Sequence, residues 1–306
     1  MKKHVLLVAV ALLGACHHGG GGGSSTNPSL GPTMGNFSSF SAVQPGQTAT
    51  LPGTSTVLTG TVSAATVTPT TPGAFDAAGT RATMTYDSTR TLTAITATTP
   101  AGSITFNKAA GDTFNCNGGV CGLTNVAGTA AMIVIDPISL PAGFNYQSFG
   151  VWDRVTAGTS FDAGVFSVGA PTPGSAVPTT GTANFVGLAN GFFVDSATHN
   201  AFFTTANMNA SANFAAQTIA FSTTNTLTVS TANPSSVGNA NAGLNLTGNF
   251  SYPAGTNFFL GTVTSANGMS GSGAGRFYGP AAQEIGGTYN LSGTAGSMIG
   301  SFGGKQ

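Results

Sequence analysis

FFTTANMNASANF, Phe202 to Phe214, is a stretch in which every second residue changes character. The even positions are Phe202, Thr204, Ala206, Met208, Ala210, Ala212 and Phe214. The odd positions are Phe203, Thr205, Asn207, Asn209, Ser211 and Asn213. One set is apolar or small and the other almost wholly polar, the period of a strand with one face on a core and one in water.

The same period recurs on either side. LNLTGNFSY sets Leu244, Leu246, Gly248, Phe250 and Tyr252 against Asn245, Thr247, Asn249 and Ser251. MSGSGAGRF aligns Met269, Gly271, Gly273, Gly275 and Phe277, three bare positions that suit a bend or a close approach of another group. SMIGSFGG gathers Met298, Gly300 and Phe302. With segments near 182–189, 191–195, 217–223, 257–265 and 286–293, this half reads as eight or nine strands. Their spacing predicts hairpins closing into a filled, dry barrel. Closure accounts for the scarcity of edge lysines, because a barrel has no free edge. The outward faces are Asn, Ser and Thr, where a membrane-spanning barrel would need apolar side chains, so the barrel is expected to be water-soluble.

Toward the N-terminus, STVLTGTVS, RATMTY, LTAITATT, GSITF and TAAMIVID are also strand-like. The class is therefore all-β: an N-terminal antiparallel β domain followed by a soluble eight-stranded antiparallel β-barrel. Whether the first part closes or stays open is not fixed by its pattern. The Pro/Gly-rich run PTPGSAVPTTG, Pro171 to Gly181, marks the boundary. The expected organisation is 1–15 signal peptide, 16–36 tether, 37–175 N-terminal β domain and 176–306 barrel.

Only 5% of the 306 residues are charged, with 8 basic and 8 acidic side chains. Loss of Lys2 and Lys3 with a leader would leave the acids in slight excess. Such a chain cannot neutralise a run of phosphates, which excludes nucleic acid as a partner. The 45 glycines and frequent threonines disfavour long helices.

MKKHVLLVAVALLGAC has two lysines, an apolar run from Val5 to Leu13, and small residues before Cys16. This is a secretory signal. Leu13-Gly14-Ala15-Cys16 resembles a bacterial lipobox, which implies cleavage before Cys16 and lipidation there, with several acyl chains giving stable anchoring. An ordinary signal peptide is the alternative. HHGGGGGSSTNPSLGP follows as a tether; a flexible coil of about 20 residues spans roughly 25 Å. His17 and His18 have no third ligand nearby in sequence.

Cys116 and Cys121 bracket Asn-Gly-Gly-Val. In an exported chain such a pair is expected to close a disulfide over a hairpin tip, contributing about 2 kcal/mol on the chain-entropy account. A metal or redox pair is the alternative reading.

A search for chemistry finds no catalytic constellation and no cofactor signature. Asp76, Asp87, Asp112, Asp136, Asp153, Asp162, Asp195 and Glu284 are scattered singly, and beyond the leader and tether only His199 exists, in the polar loop DSATHN. The chain is not expected to be an enzyme or to hold a metal. For binding, three Phe-Phe pairs stand out, at 192–193, 202–203 and 258–259. Strand neighbours point to opposite faces, so each pair is expected to send one ring outward, Phe203 being the clearest case. Trp152, Phe193, Phe203 and Phe259 are the candidate ligand-binding residues. Cover by loops or by the N-terminal domain, and interior packing for Trp152, are the competing readings.

YQSFGVWDR (Tyr146–Arg154), VPTTGTANFVG (Val177–Gly187), GRFYGPAAQEIGGTYNLSG (Gly275–Gly293) and the closing IGSFGGKQ resemble the handle-and-barrel repeat of transferrin-binding protein B. The resemblance covers roughly residues 140–306 and extends to related surface lipoproteins. It implies an outer-membrane, lipid-anchored protein, displayed on the cell surface, that binds a protein or iron-carrying ligand beside an outer-membrane transporter. It also implies that Glu284 braces a connection between two late strands. The chain departs from the family in its few charges and in having room for about one lobe, so transferrin recognition itself is not implied. A structural or adhesive envelope lipoprotein without a small ligand is the alternative.

Overall fold

The computed structural model describes residues 37–63, 66–140, 143–156, 158–231 and 238–306. The signal peptide, the lipidation site Cys16, the tether and the pair His17–His18 lie outside the described residues.

The molecule is all-β. Ten strands form the first sheet: β1 (Thr48–Ser63), β2 (Thr66–Pro69), β3 (Arg81–Tyr86), β4 (Leu92–Thr99), β5 (Gly102–Asn107), β6 (Thr113–Asn117), β7 (Val120–Thr124), β8 (Ala130–Ile135), β9 (Gln147–Val155) and β10 (Ser160–Gly169). Their order is β5-β4-β3-β1-β10-β9-β8-β7-β6, with β2 paired to the far end of β1. Every pairing is antiparallel, and the sheet is an open, curled half-barrel. That decides the question its sequence pattern left open.

The second sheet holds β11 (Thr182–Asp195), β12 (Ala201–Asn213), β13 (Thr218–Ser230), β14 (Asn239–Ala240), β15 (Leu246–Ser251), β16 (Phe258–Ser265), β17 (Ser270–Tyr278), β18 (Glu284–Gly293) and β19 (Gly296–Lys305). Pairing of β12 with β13 and of β11 with β19 closes it into an eight-stranded antiparallel barrel, with β14 a short addition to β13. The segments expected at 182–189 and 191–195 are one continuous strand. Gly191 is a point of close approach rather than a break: a Cβ there would meet Ile299 O at 2.6 Å and Thr204 Oγ1 at 2.9 Å. The strand expected at 217–223 runs on to Ser230.

The alternation in Phe202–Phe214 orients β12 as its pattern predicts. Met208, Ala210, Ala212 and Phe214 are in the barrel core, and Asn207, Asn209, Ser211 and Asn213 are exposed. The interior is filled by rings. Phe302 lies 4.8 Å from Phe221 and 6.2 Å from Phe250, and Phe259 lies 5.3 Å from Phe250. The bare glycines make room for them. A Cβ on Gly273 would come 2.7 Å from the Phe250 ring, one on Gly275 would come 2.5 Å from Phe259, and one on Gly287 would come 2.9 Å from Phe302. Glycine beneath a ring recovers by packing what it gives up in strand propensity.

In the half-barrel, β8, β9 and β10 are buried over nearly their whole lengths rather than alternately. Their two faces meet two different cores. Met132, Val134, Trp152, Phe166 and Val168 point into the half-barrel's own interior, and Ile133, Phe149, Val151, Phe161 and Val165 point at the barrel. At the edge, Cys116 and Cys121 face each other across the β6–β7 hairpin and are joined as a disulfide. The tip residues Gly118 and Gly119 have φ of 56° and 82°, a left-handed turn that glycine adopts without strain.

Candidate functional site

Two places join the half-barrel to the barrel. The first is the seam between β1, β9 and β10 on one side and β17, β18, β19, β11 and β12 on the other. Its apolar part gathers Leu58, Phe149, Val151, Phe161, Ala163 and Val165 against Phe192, Val194, Ala201, Phe203 and Ile299. Phe192 lies 5.2 Å from Phe161 and 5.8 Å from Phe203.

Its polar part contains residues of three of the four quoted segments, Tyr146–Arg154, Gly275–Gly293 and the closing IGSFGGKQ. Glu284 is buried, its Oε1 accepting from the Asn145 amide at 2.5 Å and its Oε2 from the Tyr146 amide at 3.1 Å. Burial pushes its carboxyl up to about 7, against the lowering effect of those amides and of Lys305. Gln147 Nε2 donates to Ile285 O at 2.8 Å and to Gly304 O at 3.1 Å. Tyr278 donates its hydroxyl to Ser167 O at 3.1 Å, and burial raises that phenol to about 12. Ser301 Oγ donates to Gly150 O at 3.0 Å. Glu284 is thus a clamp between the two sheets, which extends the bracing role that the resemblance implied.

The second place is one end of the molecule, where hairpin tips of both sheets are tied in series. Val62 N donates to Thr159 O at 2.7 Å, and Val67 N donates to His199 O at 2.8 Å. Ser196 N donates to Ala295 O at 3.2 Å, and Thr231 N donates to Ala201 O at 3.0 Å. The β11–β12 and β18–β19 tips and the described residues that flank the β1–β2 and β9–β10 turns therefore make one composite surface. Asp195 stiffens it: its Oδ1 accepts from the Thr198 amide and hydroxyl, each at 2.8 Å, and these bonds, with His199 nearby, lower its pKa. His199 is exposed, with φ 57°. This surface offers hydroxyls, amides and main-chain groups, with little charge.

The four aromatic candidates are all buried, which corrects the expectation of exposed rings. Each Phe-Phe pair does split between the faces, but Phe193 and Phe259 are the inward members and belong to the barrel core. Phe203 points outward and is covered by the half-barrel. Trp152 is packed inside the half-barrel, with Arg154 lying 5.4 Å over its ring. Arg154 also pairs with Asp162 at 2.9 Å and donates to Ala101 O and Ser103 O, tying β9 to the β4–β5 turn. The residues that join the tips carried no local signal, because their partners lie far along the chain, as Val67 and His199 do.

The acids are committed to structure. Asp76 and Asp87 accept from turn amides, Asp112 from Asn107 and Val126, and Asp136 from Tyr86 and Ser139. Burial pushes Asp153 up to about 7, against hydrogen bonds from the Ala131 and Asp153 amides.

A family model described as the C-lobe and N-lobe beta barrels of Tf-binding protein B matches residues 177–306. No curated protein matches the chain. Among solved structures it is similar to a point variant of transferrin-binding protein B from Haemophilus parasuis Hp5, at 14% identity and TM-score 0.47, over 74% of this chain and 51% of that one. It is similar to isotype 1 transferrin-binding protein B from serogroup B Neisseria meningitidis, at 15% identity and TM-score 0.42, over 82% and 43%. It is also similar to the N-lobe domain of lactoferrin binding protein B of Moraxella bovis, at 12% identity and TM-score 0.42, over 83% and 99%. The chain spans about half the length of the first two, 51% and 43%.

Proposed function

We propose, starting from a chain whose residues 177–306 match the transferrin-binding protein B barrel, that it is an outer-membrane lipoprotein, anchored through Cys16, that binds a macromolecular or iron-carrying ligand. In this reading residues 37–175 and 176–306 are its two domains, and the ligand is held at the composite end. An outer-membrane transporter would receive whatever the ligand carries.

The observation that carries the reading is the series of backbone hydrogen bonds from Val62 to Thr159, Val67 to His199 and Ser196 to Ala295. It fixes tips from both sheets as one rigid surface, and a surface preorganised in this way loses little entropy on binding. The acids other than Asp153, by contrast, are engaged in turns, clamps and one ion pair, which favours binding over catalysis.

The test is capture on intact cells displaying the whole chain, with transferrin, lactoferrin, haem and small iron chelates as probes. Capture of one probe, weakened tenfold or more by Thr198→Glu with Thr294→Glu, is expected. Capture of none, by a chain displayed and folded, would favour the structural or adhesive reading. Capture insensitive to both substitutions would move the site elsewhere.

A further inference from the structure

The chain contains three Asn-Gly steps, Asn117-Gly118, Asn190-Gly191 and Asn267-Gly268. In such a step the glycine nitrogen can attack the asparagine carboxamide, because no Cβ on the second residue stands in the way. The fold treats the three differently. Asn190 is buried in β11, its Oδ1 lies 2.5 Å from Ser301 Oγ, and a Cβ on Gly191 would meet Ile299 O at 2.6 Å. Asn267 is exposed at the β16–β17 tip, but its Oδ1 accepts from Ser265 Oγ at 2.5 Å, and the Gly268 amide donates to Ser265 O at 3.0 Å. Asn117 is exposed at the β6–β7 tip, and neither its carboxamide nor the Gly118 amide has a hydrogen-bond partner among the described residues. A Cβ on Gly118 would meet nothing within 4 Å, so there is open space for a ring to form.

We propose that Asn117 is a self-modification site, where the chain converts asparagine to aspartate and isoaspartate through a cyclic imide. The Gly118 nitrogen gives up its proton and bonds to Asn117 Cγ. The Cγ–Nδ2 bond breaks, and ammonia leaves with that proton. Water then adds across one of the two carbonyl–nitrogen bonds of the ring. Opening at Cγ leaves aspartate; opening at the main-chain carbonyl leaves isoaspartate, with the chain routed through Cβ and Cγ. Ring closure turns the Asn117-Gly118 peptide out of its extended conformation. That releases only the last rung of an edge hairpin, Asn117 opposite Val120. Gly118 and Gly119, at φ 56° and 82°, absorb the rotation, and the disulfide on the neighbouring rung holds the strands together meanwhile. The product sets a carboxylate on a hairpin whose residues 113–124 carry no charge. Isoaspartate also lengthens the main chain beside Gly119, whose carbonyl accepts from the Asp136 amide at 2.7 Å, and so loosens this tip from the end of β8.

The experiment is peptide mapping by mass spectrometry on the whole oxidised chain, aged at mildly alkaline pH, with isoaspartate read by enzymatic methylation. Two hydrogen bonds hold the Asn267 step and none holds the Asn117 step, so acid is expected at Asn117 about tenfold faster than at Asn267. Asn190 should stay intact. In concentrated urea, where the fold is gone, the three rates should converge. Ser265→Ala frees the Asn267 carboxamide and should raise its rate while leaving that of Asn117 unchanged. Hydrogen exchange at the Asp136 amide should quicken in the aged protein and not in aged Asn117→Ser. Equal rates at Asn117 and Asn267 in the folded chain would overturn the proposal. So would an Asn117 that stays intact in the folded chain while it reacts in urea.

Discussion

Gly286 and Gly303 are register partners on β18 and β19, and both present bare backbone to the half-barrel. A Cβ on Gly286 would run into Gln147 Oε1, and one on Gly303 would run into the Phe149 ring. Their chain neighbours face the other way, Gly287 beneath Phe302 and Gly304 against Phe185 and Met208 at 3.1 and 3.0 Å. Each Gly-Gly pair thus serves two surfaces at once, the seam with its first glycine and the barrel core with its second.

Gly286→Ala is therefore expected to loosen the seam while leaving the barrel closed. Overpacking of this kind costs about 1–3 kcal/mol. Thermal unfolding followed together with proteolysis checks it: cleavage should begin in residues 37–175, and the barrel fragment should persist. Equal loss of both parts would mean that the barrel cannot stand without the seam.

Glu284 gives the seam a pH dependence with a definite sign. Its carboxyl is raised from 4.5 to about 7, so between those values the folded protein holds a proton that the unfolded chain has released. Stability conferred by the proton is full below the unfolded value, falls as pH rises through this window, and is level above about 7. The full shift corresponds to about 3 kcal/mol. Denaturant unfolding at pH 4.5 to 8 should show this slope, and Glu284→Gln should reduce it. Asp153, also raised to about 7, should keep a residual slope that Asp153→Asn removes. An unchanged slope in Glu284→Gln would mean that Glu284 ionises normally.

Much of the barrel was legible because its face choice is local. In Phe202–Phe214 each residue's neighbours in sequence reveal which way it points, and the glycines at 273 and 275 announced a close approach without saying of what. The seam was not legible in the same way. Phe203 is an aromatic on a polar face, a pattern shared by an exposed anchor and by a residue covered by another sheet. The half-barrel covers it, in a cluster that includes Phe161 and Val165, and no local period reports packing against strands about forty positions away. Glu284 resisted for the same reason, since its amide partners at 145 and 146 lie far upstream. The half-barrel's open edge escaped because strand patterns do not reveal whether the outermost strands meet.

Phe203→Ala distinguishes a packing role from a binding role. The ring is 2% exposed, so its removal leaves a cavity between the sheets and is expected to cost about 3–5 kcal/mol. Phe203→Leu fills most of the space and should cost far less. If Phe203→Ala unfolds at the wild-type denaturant concentration yet loses ligand capture, the ring is an anchor that the half-barrel uncovers.

The disulfide should stabilise one edge of the half-barrel and little else. Cys116 is exposed and Cys121 buried, and they link the edge strand β6 to β7. Beyond β6 no strand holds this hairpin among the described residues, so the covalent link limits how far β6 can peel away. Breaking it with Cys116→Ser and Cys121→Ala is expected to cost about 2 kcal/mol, the loop entropy of so short a closure. Hydrogen exchange should speed up at amides of Thr113 to Thr124 and stay unchanged in β17 to β19, which lie in the other sheet. Equal loosening of the barrel would show that the edge and the seam unfold as one unit, and thermal unfolding of the reduced protein would then shift as a single transition.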